Sequence, residues 1–343
     1  MNYIPHLTLI ERRQHFFIVK GESSRFLFQN EERRINMILP KKLKRGDTVG
    51  VIAPASPPNQ QNLEKSLSFL KELGVNVKMG KYVNEVNGYL AGSDEERLAD
   101  LHAMFKDPSV QAIICAGGGY GSARIAHSID YDLIKRNPKI FWGYSDITFL
   151  HTAIRQQTGL VTFHGPMLAS DVGKEEFHAL SKKMFLQLFE PMELHYSEDI
   201  SPLEVLAEGE RVGEIVGGNL SLIQSSLGTP FELDTEGKIL FIEDIDEEPY
   251  RIDSMLNQLC MAGKLQNACG IVVGDFKNAV PTNDKLSLSL EEVLESYLGN
   301  LETPVLKGFK MGHCEPHFSV PLGAKAKLSS KTKTLTIMPG VQS

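Results

Sequence analysis

The chain has 343 residues, 42% of them hydrophobic, and a formal net charge of −7. That is apolar material enough for a sizeable core and about two domains, and it is the wrong sign of charge for a nucleic-acid partner. No apolar run is long enough to span a bilayer, so no membrane partner is expected, and Cys115, Cys260, Cys269 and Cys314 lack paired spacing, which fits reduced thiols in a cytoplasmic protein.

Residues 1–36 show no clear period and no h-region of a signal peptide. In Glu32-Arg33-Arg34-Ile35-Asn36-Met37, two AGG-type Arg codons would spell a ribosome-binding site just ahead of a start at Met37. Residues 1–36 are therefore read as translated leader, with a mobile extension as the competing reading. Organised patterning begins at Met37. The run Thr48–Ala55 reads as a short buried strand, Leu63 to Leu73 has helical spacing, and Val75-Asn76-Val77-Lys78 is a second strand. Ser93 and Glu96 form a capping box for a helix reaching Phe105. Strands at 111–115 and 139–142 follow. This alternation predicts an α/β fold whose N-terminal domain, 38–168, holds a doubly wound, mostly parallel sheet covered on both faces. Ligands in such sheets gather at the carboxyl ends of the strands.

Residues 169–206 are charged and irregular and read as a connection with some helix. A C-terminal domain, 207–343, is expected, with strands at 211–216, 238–243, 270–274 and 334–338 and helices near 219–226, 252–262 and 289–297. The second strand of interest, 139–142, runs into Gly143-Tyr144-Ser145-Asp146, and Ile147, Leu150, Ala153 and Ile154 then keep helical spacing. Strand, tight turn with serine, helix is the arrangement of a nucleophile elbow. G-x-S-x-G is half met, since Gly143 is present but position 147 is Ile. On this segment alone, a serine N-cap is the simpler account.

Six segments in order are more specific: GDTVGVIAPAS, AGGGYGSARI, FWGYSDIT, IVGGNLSLIQSSLGTP, ILFIEDIDEEPYRIDSMLNQL and FKMGHCEPHFSVPLGAKA. Together they resemble the LD-carboxypeptidases, bacterial serine peptidases that trim terminal D-Ala from murein tetrapeptides, over essentially all of residues 38–340. The resemblance implies a mixed α/β, partly barrel-like C-terminal domain, with the active site between the two domains. It implies Ser145 as nucleophile, Glu243 as the triad carboxylate and His313 as general base. Serine needs a base to take its proton, and the base needs a carboxylate to fix its tautomer. It further implies an oxyanion hole from the N–H of Asp146 and one from the Gly118-Gly119-Tyr120 turn. Many relatives carry Arg where this chain has Gly117, which leaves side-chain contacts at that edge open. A murein tetrapeptide substrate, no cofactor and a homodimer are implied as well. The sister activity, cleavage of a peptidyl-nucleotide toxin in self-immunity of the microcin C type, is the main rival. A non-catalytic binding protein on the doubly wound domain is the rival of another class.

Several residues carry two readings. Asp244 rivals Glu243, although Glu243 continues the apolar strand and the acids after it look like turn. His313-Cys314-Glu315-Pro316-His317 has ligating side chains, but without C-x-x-C or H-E-x-x-H elsewhere no metal is expected. His164 either lines the cleft or supports a turn. Asn219 is an N-cap or a substrate-facing amide. Arg251 binds a substrate carboxylate or pairs with the neighbouring acids, and Trp142 reads as core. Among Phe177, Phe185, Phe189 and Tyr196, one facing the cleft would favour a nucleotide substrate.

Overall fold

In the computed structural model, residues 36–282 and 286–343 are described; residues 1–35, and with them the expectation of a leader, lie outside them. Five strands, β1 (Thr48–Ile52), β2 (Asn76–Met79), β3 (Val110–Cys115), β4 (Ile140–Gly143) and β5 (Thr162–His164), run parallel in the order β5-β4-β3-β1-β2. Side chains alternate across this sheet as the pleat requires. Ala112, Ile114, Ile140 and Trp142 join one core, and Ile113, Cys115 and Phe141 join the other. Helix Gln60–Glu72 covers the first face through Leu63 and Leu70, while helices Asp94–Lys106 and Thr148–Thr158 cover the second. The capping box at Ser93 and Glu96 is present. Strand order reverses between β1 and β3, so the loops after them diverge and open a crevice at the sheet's carboxyl edge.

The remaining strands are β6 (Leu194–Tyr196), β7 (Glu204–Ala207), β8 (Glu210–Asn219), β9 (Ile239–Ile245), β10 (Gly270–Lys277), β11 (Val305–Lys307), β12 (Val320–Leu322), β13 (Lys325–Ser329) and β14 (Thr334–Ile337). All but β12 form a curled, half-barrel sheet in the order β6-β14-β13-β8-β9-β10-β11-β7, parallel from β8 to β11 and antiparallel at both flanks. Ile239, Phe241 and Val272 pack inside the curl; Leu240, Ile242, Ile271 and Val273 pack under helices Leu220–Ser226, Pro249–Met261 and Leu290–Leu298.

Two features depart from the sequence reading. The segment 169–206 supplies β6 and most of β7 to the second sheet rather than only connecting the two halves. The C-terminal part of the chain also returns: β12 pairs antiparallel with β5 at the edge of the first sheet, Val341 enters the first core, and Gln342 donates to Pro40 and Leu39. No helix among the described residues is long and apolar enough to cross a membrane.

Candidate active site

Ser145 follows β4 after Tyr144 and sits in the left-handed region, φ +62°. For a residue with a Cβ this is uncommon backbone that its surroundings must enforce. Gly143 makes the approach possible, since a Cβ there would lie 3.1 Å from Cys115 and 3.2 Å from Ile147. His151, on the helix that follows, holds the Gly143 carbonyl at 2.8 Å. Its burial pushes the imidazole down to about 3, so it stays neutral and structural. A single 3-10 turn, Ser145–Ile147, carries the chain into helix Thr148–Thr158. The elbow therefore forms without the second glycine, and the Ile147 side chain packs against Gly143 instead.

Glu243 enters from β9 of the other sheet and is fully buried. His313 follows Gly312, whose φ is +109° and where a Cβ would stand 2.4 Å from Glu243 Oε2. Glycine alone lets the chain cross the carboxylate this closely. His313 Nδ1 lies 2.6 Å from Glu243 Oε2, and its Nε2 lies 2.9 Å from Ser145 Oγ. With Nδ1–H donating to the carboxylate, Nε2 is the lone-pair nitrogen that accepts the serine hydroxyl proton. Burial by itself favours neutral forms of both partners, but their mutual attraction prevails. Glu243 is held well below the ordinary carboxylate range by His313 and His164, and His313 is raised above 6.5 by Glu243.

Ser145 and His313 line an open cavity of about 400 Å³ with Ser56, Gly118, Gly119, Asp171, Lys174 and Lys277. Gly118 faces the serine directly, since a Cβ on it would lie 3.1 Å from Ser145 Cβ and 3.3 Å from Oγ. The Asp146 side chain accepts from Ser122 N at 2.8 Å, and its carbonyl accepts from Ser122 Oγ at 2.6 Å. This pins the helix after the glycine loop to the elbow. The N–H groups of Asp146, Gly118 and Gly119 donate to nothing among the described residues.

Two expected substrate contacts are placed elsewhere. Tyr120 donates its N–H to Ser56 Oγ at 3.1 Å, and its exposed ring packs edge-on against Tyr89 at 5.5 Å, so it offers no oxyanion donor. Asn219 caps helix Leu220–Ser226, accepting from Leu222 N and donating to Asp244 at 2.9 Å. Both its side-chain polar atoms are engaged and it lies outside the cavity lining. Asp244 continues β9 rather than turning, and its carboxylate takes Asn219, Ser221 and Ile245. Arg251 pairs with Glu247 at 3.3 Å, and Trp142 is core, donating to the Pro166 carbonyl. Phe185 and Tyr196 are buried, and Phe177 and Phe189 pack on the first core, so none of the four lines the cavity. Among the described residues no three His, Cys, Asp or Glu side chains converge as a metal would need.

The sequence reading missed Ser56, Asp171, Lys174 and Lys277. Ser56 follows β1 and was reachable from the rule that strand carboxyl ends bind ligands. Asp171 accepts from Tyr144 and from Met167 N in an irregular turn that no periodicity announces.

Comparison with known proteins gives the family. The LD-carboxypeptidase N-terminal domain matches residues 49–165 and the LD-carboxypeptidase C-terminal domain matches residues 212–328. A probable murein peptide carboxypeptidase of Bacillus subtilis strain 168 is 60% identical over 302 residues, 88% of this chain and 95% of that protein. The crystal structure of an MccF-like protein from Bacillus anthracis strain Ames superposes with TM-score 0.79 at 30% identity, covering 88% of this chain and 99% of that one. That of a muramoyltetrapeptide carboxypeptidase from Oxalobacter formigenes gives 0.76 at 30% identity, covering 86% and 100%. With both domains matched in order and a relative this similar across nearly its whole length, the chain belongs to the LD-carboxypeptidase family of serine peptidases.

Proposed function

We propose that this protein is a serine carboxypeptidase that cleaves the L,D-amide bond before the terminal D-Ala of murein tetrapeptides, acting on recycled wall fragments in the cytoplasm as a homodimer. One observation carries the reading: an unbroken hydrogen-bonded line, Ser145–His313–Glu243, at the wall of an open cavity. The 60% identity to a probable murein peptide carboxypeptidase supports the substrate class.

In this reading Ser145 Oγ attacks the scissile carbonyl while His313 Nε2 takes its proton, and Glu243 stabilises the imidazolium. The oxyanion meets the N–H of Asp146 and one from Gly118 or Gly119. His313 then returns the proton to the leaving D-Ala amine, and water, activated by the same imidazole, releases the acyl group. Lys174 and Lys277 supply two ammonium groups at the cavity for the carboxylates of an acidic peptide.

The test is mass spectrometry of a murein tetrapeptide incubated with wild-type protein and with Ser145→Ala. Loss of one alanine with the wild type alone is expected; Ser145→Ala should keep binding while turnover falls by orders of magnitude. The likeness to an MccF-like structure favours a second reading, hydrolysis of a peptidyl-nucleotide. Cleavage of such a nucleotide, with the tetrapeptide left intact, would replace the first reading by the second. A Ser145→Ala protein that retains all function would return the protein to the class of binding modules.

A further inference from the structure

We propose that His164 is a positioning residue that holds the Glu243 carboxylate from the side opposite His313; the inference rests on reading Ser145, His313 and Glu243 as a triad. The two oxygens of Glu243 are not equivalent. Oε2 lies 2.6 Å from His313 Nδ1, whereas Oε1 is buried with no hydrogen-bond partner among the described residues. His164 Nε2 stands 3.7 Å from that second oxygen, and both nitrogens of the His164 ring also lack hydrogen-bond partners among the described residues. A buried carboxylate oxygen without a donor is strongly disfavoured, as is a buried imidazole N–H without an acceptor. At this separation no water fits between them, and closing by a few tenths of an ångström completes a hydrogen bond.

The ring is well held for this task. His164 ends β5, opposite Gly143 of β4 and Val320 of β12. It is fully buried, packs edge-on against Phe241 at 5.1 Å and 88°, and lies 5.6 Å from the Tyr144 ring. A residue of the first sheet thus reaches the carboxylate supplied by the second. His164, donating Nε2–H to Oε1, fixes the carboxylate rotamer and shares its charge between two donors. Oε2 stays aimed at His313, the outer-shell logic that orients ligands at metal sites. Without that donor the full charge bears on His313, which then holds its proton more tightly.

The other ionisable groups facing this cluster are Tyr144 at the elbow, His151 on the next helix and Asp171 after β5. Asp244 comes from β9, Asp275 from β10, and Cys314 and His317 from the His313 loop. All keep their identity in the His164 variants, and comparing His164→Phe with His164→Gln separates the His164–Glu243 contact from a general disturbance of these groups.

The experiment follows the rate at which an alkyl fluorophosphonate labels Ser145 across pH, in wild type, His164→Phe and His164→Gln. Labelling forms the Oγ–P bond, expels fluoride and passes the hydroxyl proton to His313, with no peptide substrate involved. His164→Phe should slow labelling by roughly 10–100-fold and move the acid limb to higher pH. His164→Gln, whose amide N–H reaches the same place, should restore most of the rate and the limb. Wild-type rate and limb in the Phe variant would overturn the proposal, and so would a Gln variant as impaired as Phe. Should the Phe variant fail to fold, imidazole nitrogen NMR of the wild type decides: an Nε2–H tautomer at His164 is expected, and an Nδ1–H tautomer overturns it. A wild type that never labels at Ser145 would instead bring down the triad reading itself.

Discussion

Ser145 combines a demanding backbone with a modest pair of neighbours, and in the proposed mechanism the chemistry at this scale is set by His313. A general base must be unprotonated to accept the serine proton. Burial pulls the His313 pKa down, yet Glu243 outweighs it and leaves the imidazole above 6.5. The acid limb of kcat/KM is therefore expected above pH 6.5, and it should move down in Glu243→Gln, where the attracting charge is gone. A pH–rate profile of both proteins checks this, and a wild-type limb at or below 6.5 contradicts it. Lys277 acts at the same scale but on binding. Lys277 lines the cavity and forms no ion pair among the described residues. Lys277→Met should raise KM for a tetrapeptide by about 10-fold, the worth of one charge-assisted contact. Its kcat should stay within a few-fold of wild type, and steady-state kinetics would show a kcat effect if the lysine met only the transition state.

The elements show why neighbouring acids have different work. Glu243 and Asp244 are consecutive on β9, so their side chains leave the strand on opposite faces. One meets His313; the other gathers Asn219 and Ser221 at the start of helix Leu220–Ser226. Glu243→Gln should lower kcat by orders of magnitude at little change in Tm. Asp244→Asn should do the reverse, lowering Tm by about 1–3 °C through about 1–2 kcal/mol of lost hydrogen bonding, with kcat within a few-fold. Thermal melts and kinetics of the pair separate the two roles. The sequence made β4, the elbow and the helix after it legible because an apolar strand, a glycine turn and helical spacing meet there in a few residues. It also led to Ser145, Glu243 and His313, through motif order rather than spacing. It did not disclose that Asp244 stays within the strand, because face assignment depends on register with β8 and β10. Nor did it show β6, β7, β11, β12 and β13, three of them strands of three residues. A strand of three residues has too little pattern of its own and exists because a partner edge is waiting for it.

At the scale of the molecule, β12 decides how the halves behave. Residues 320–322 complete the first sheet, and after a turn at Gly323, φ +94°, residues 325–329 continue the second. Val341 and Gln342 add a second return to the first half. The sheets that hold Ser145 and Glu243 are therefore expected to unfold together. Fluorescence of Trp142, the sole tryptophan, reports the first sheet, and far-UV circular dichroism reports the whole chain. Their melting curves should coincide; an earlier fluorescence transition would show that the halves come apart independently. The same crossing has a meaning in time. In a growing polypeptide Ser145 comes 168 residues ahead of His313, its proposed base, and the edge strand at 320–322 follows later still. Until these are made, the first sheet has an open edge beside His164 and Ser145 lacks the imidazole it is proposed to use. In the proposed mechanism a nascent chain is thus unarmed until the residues of both sheets have been made.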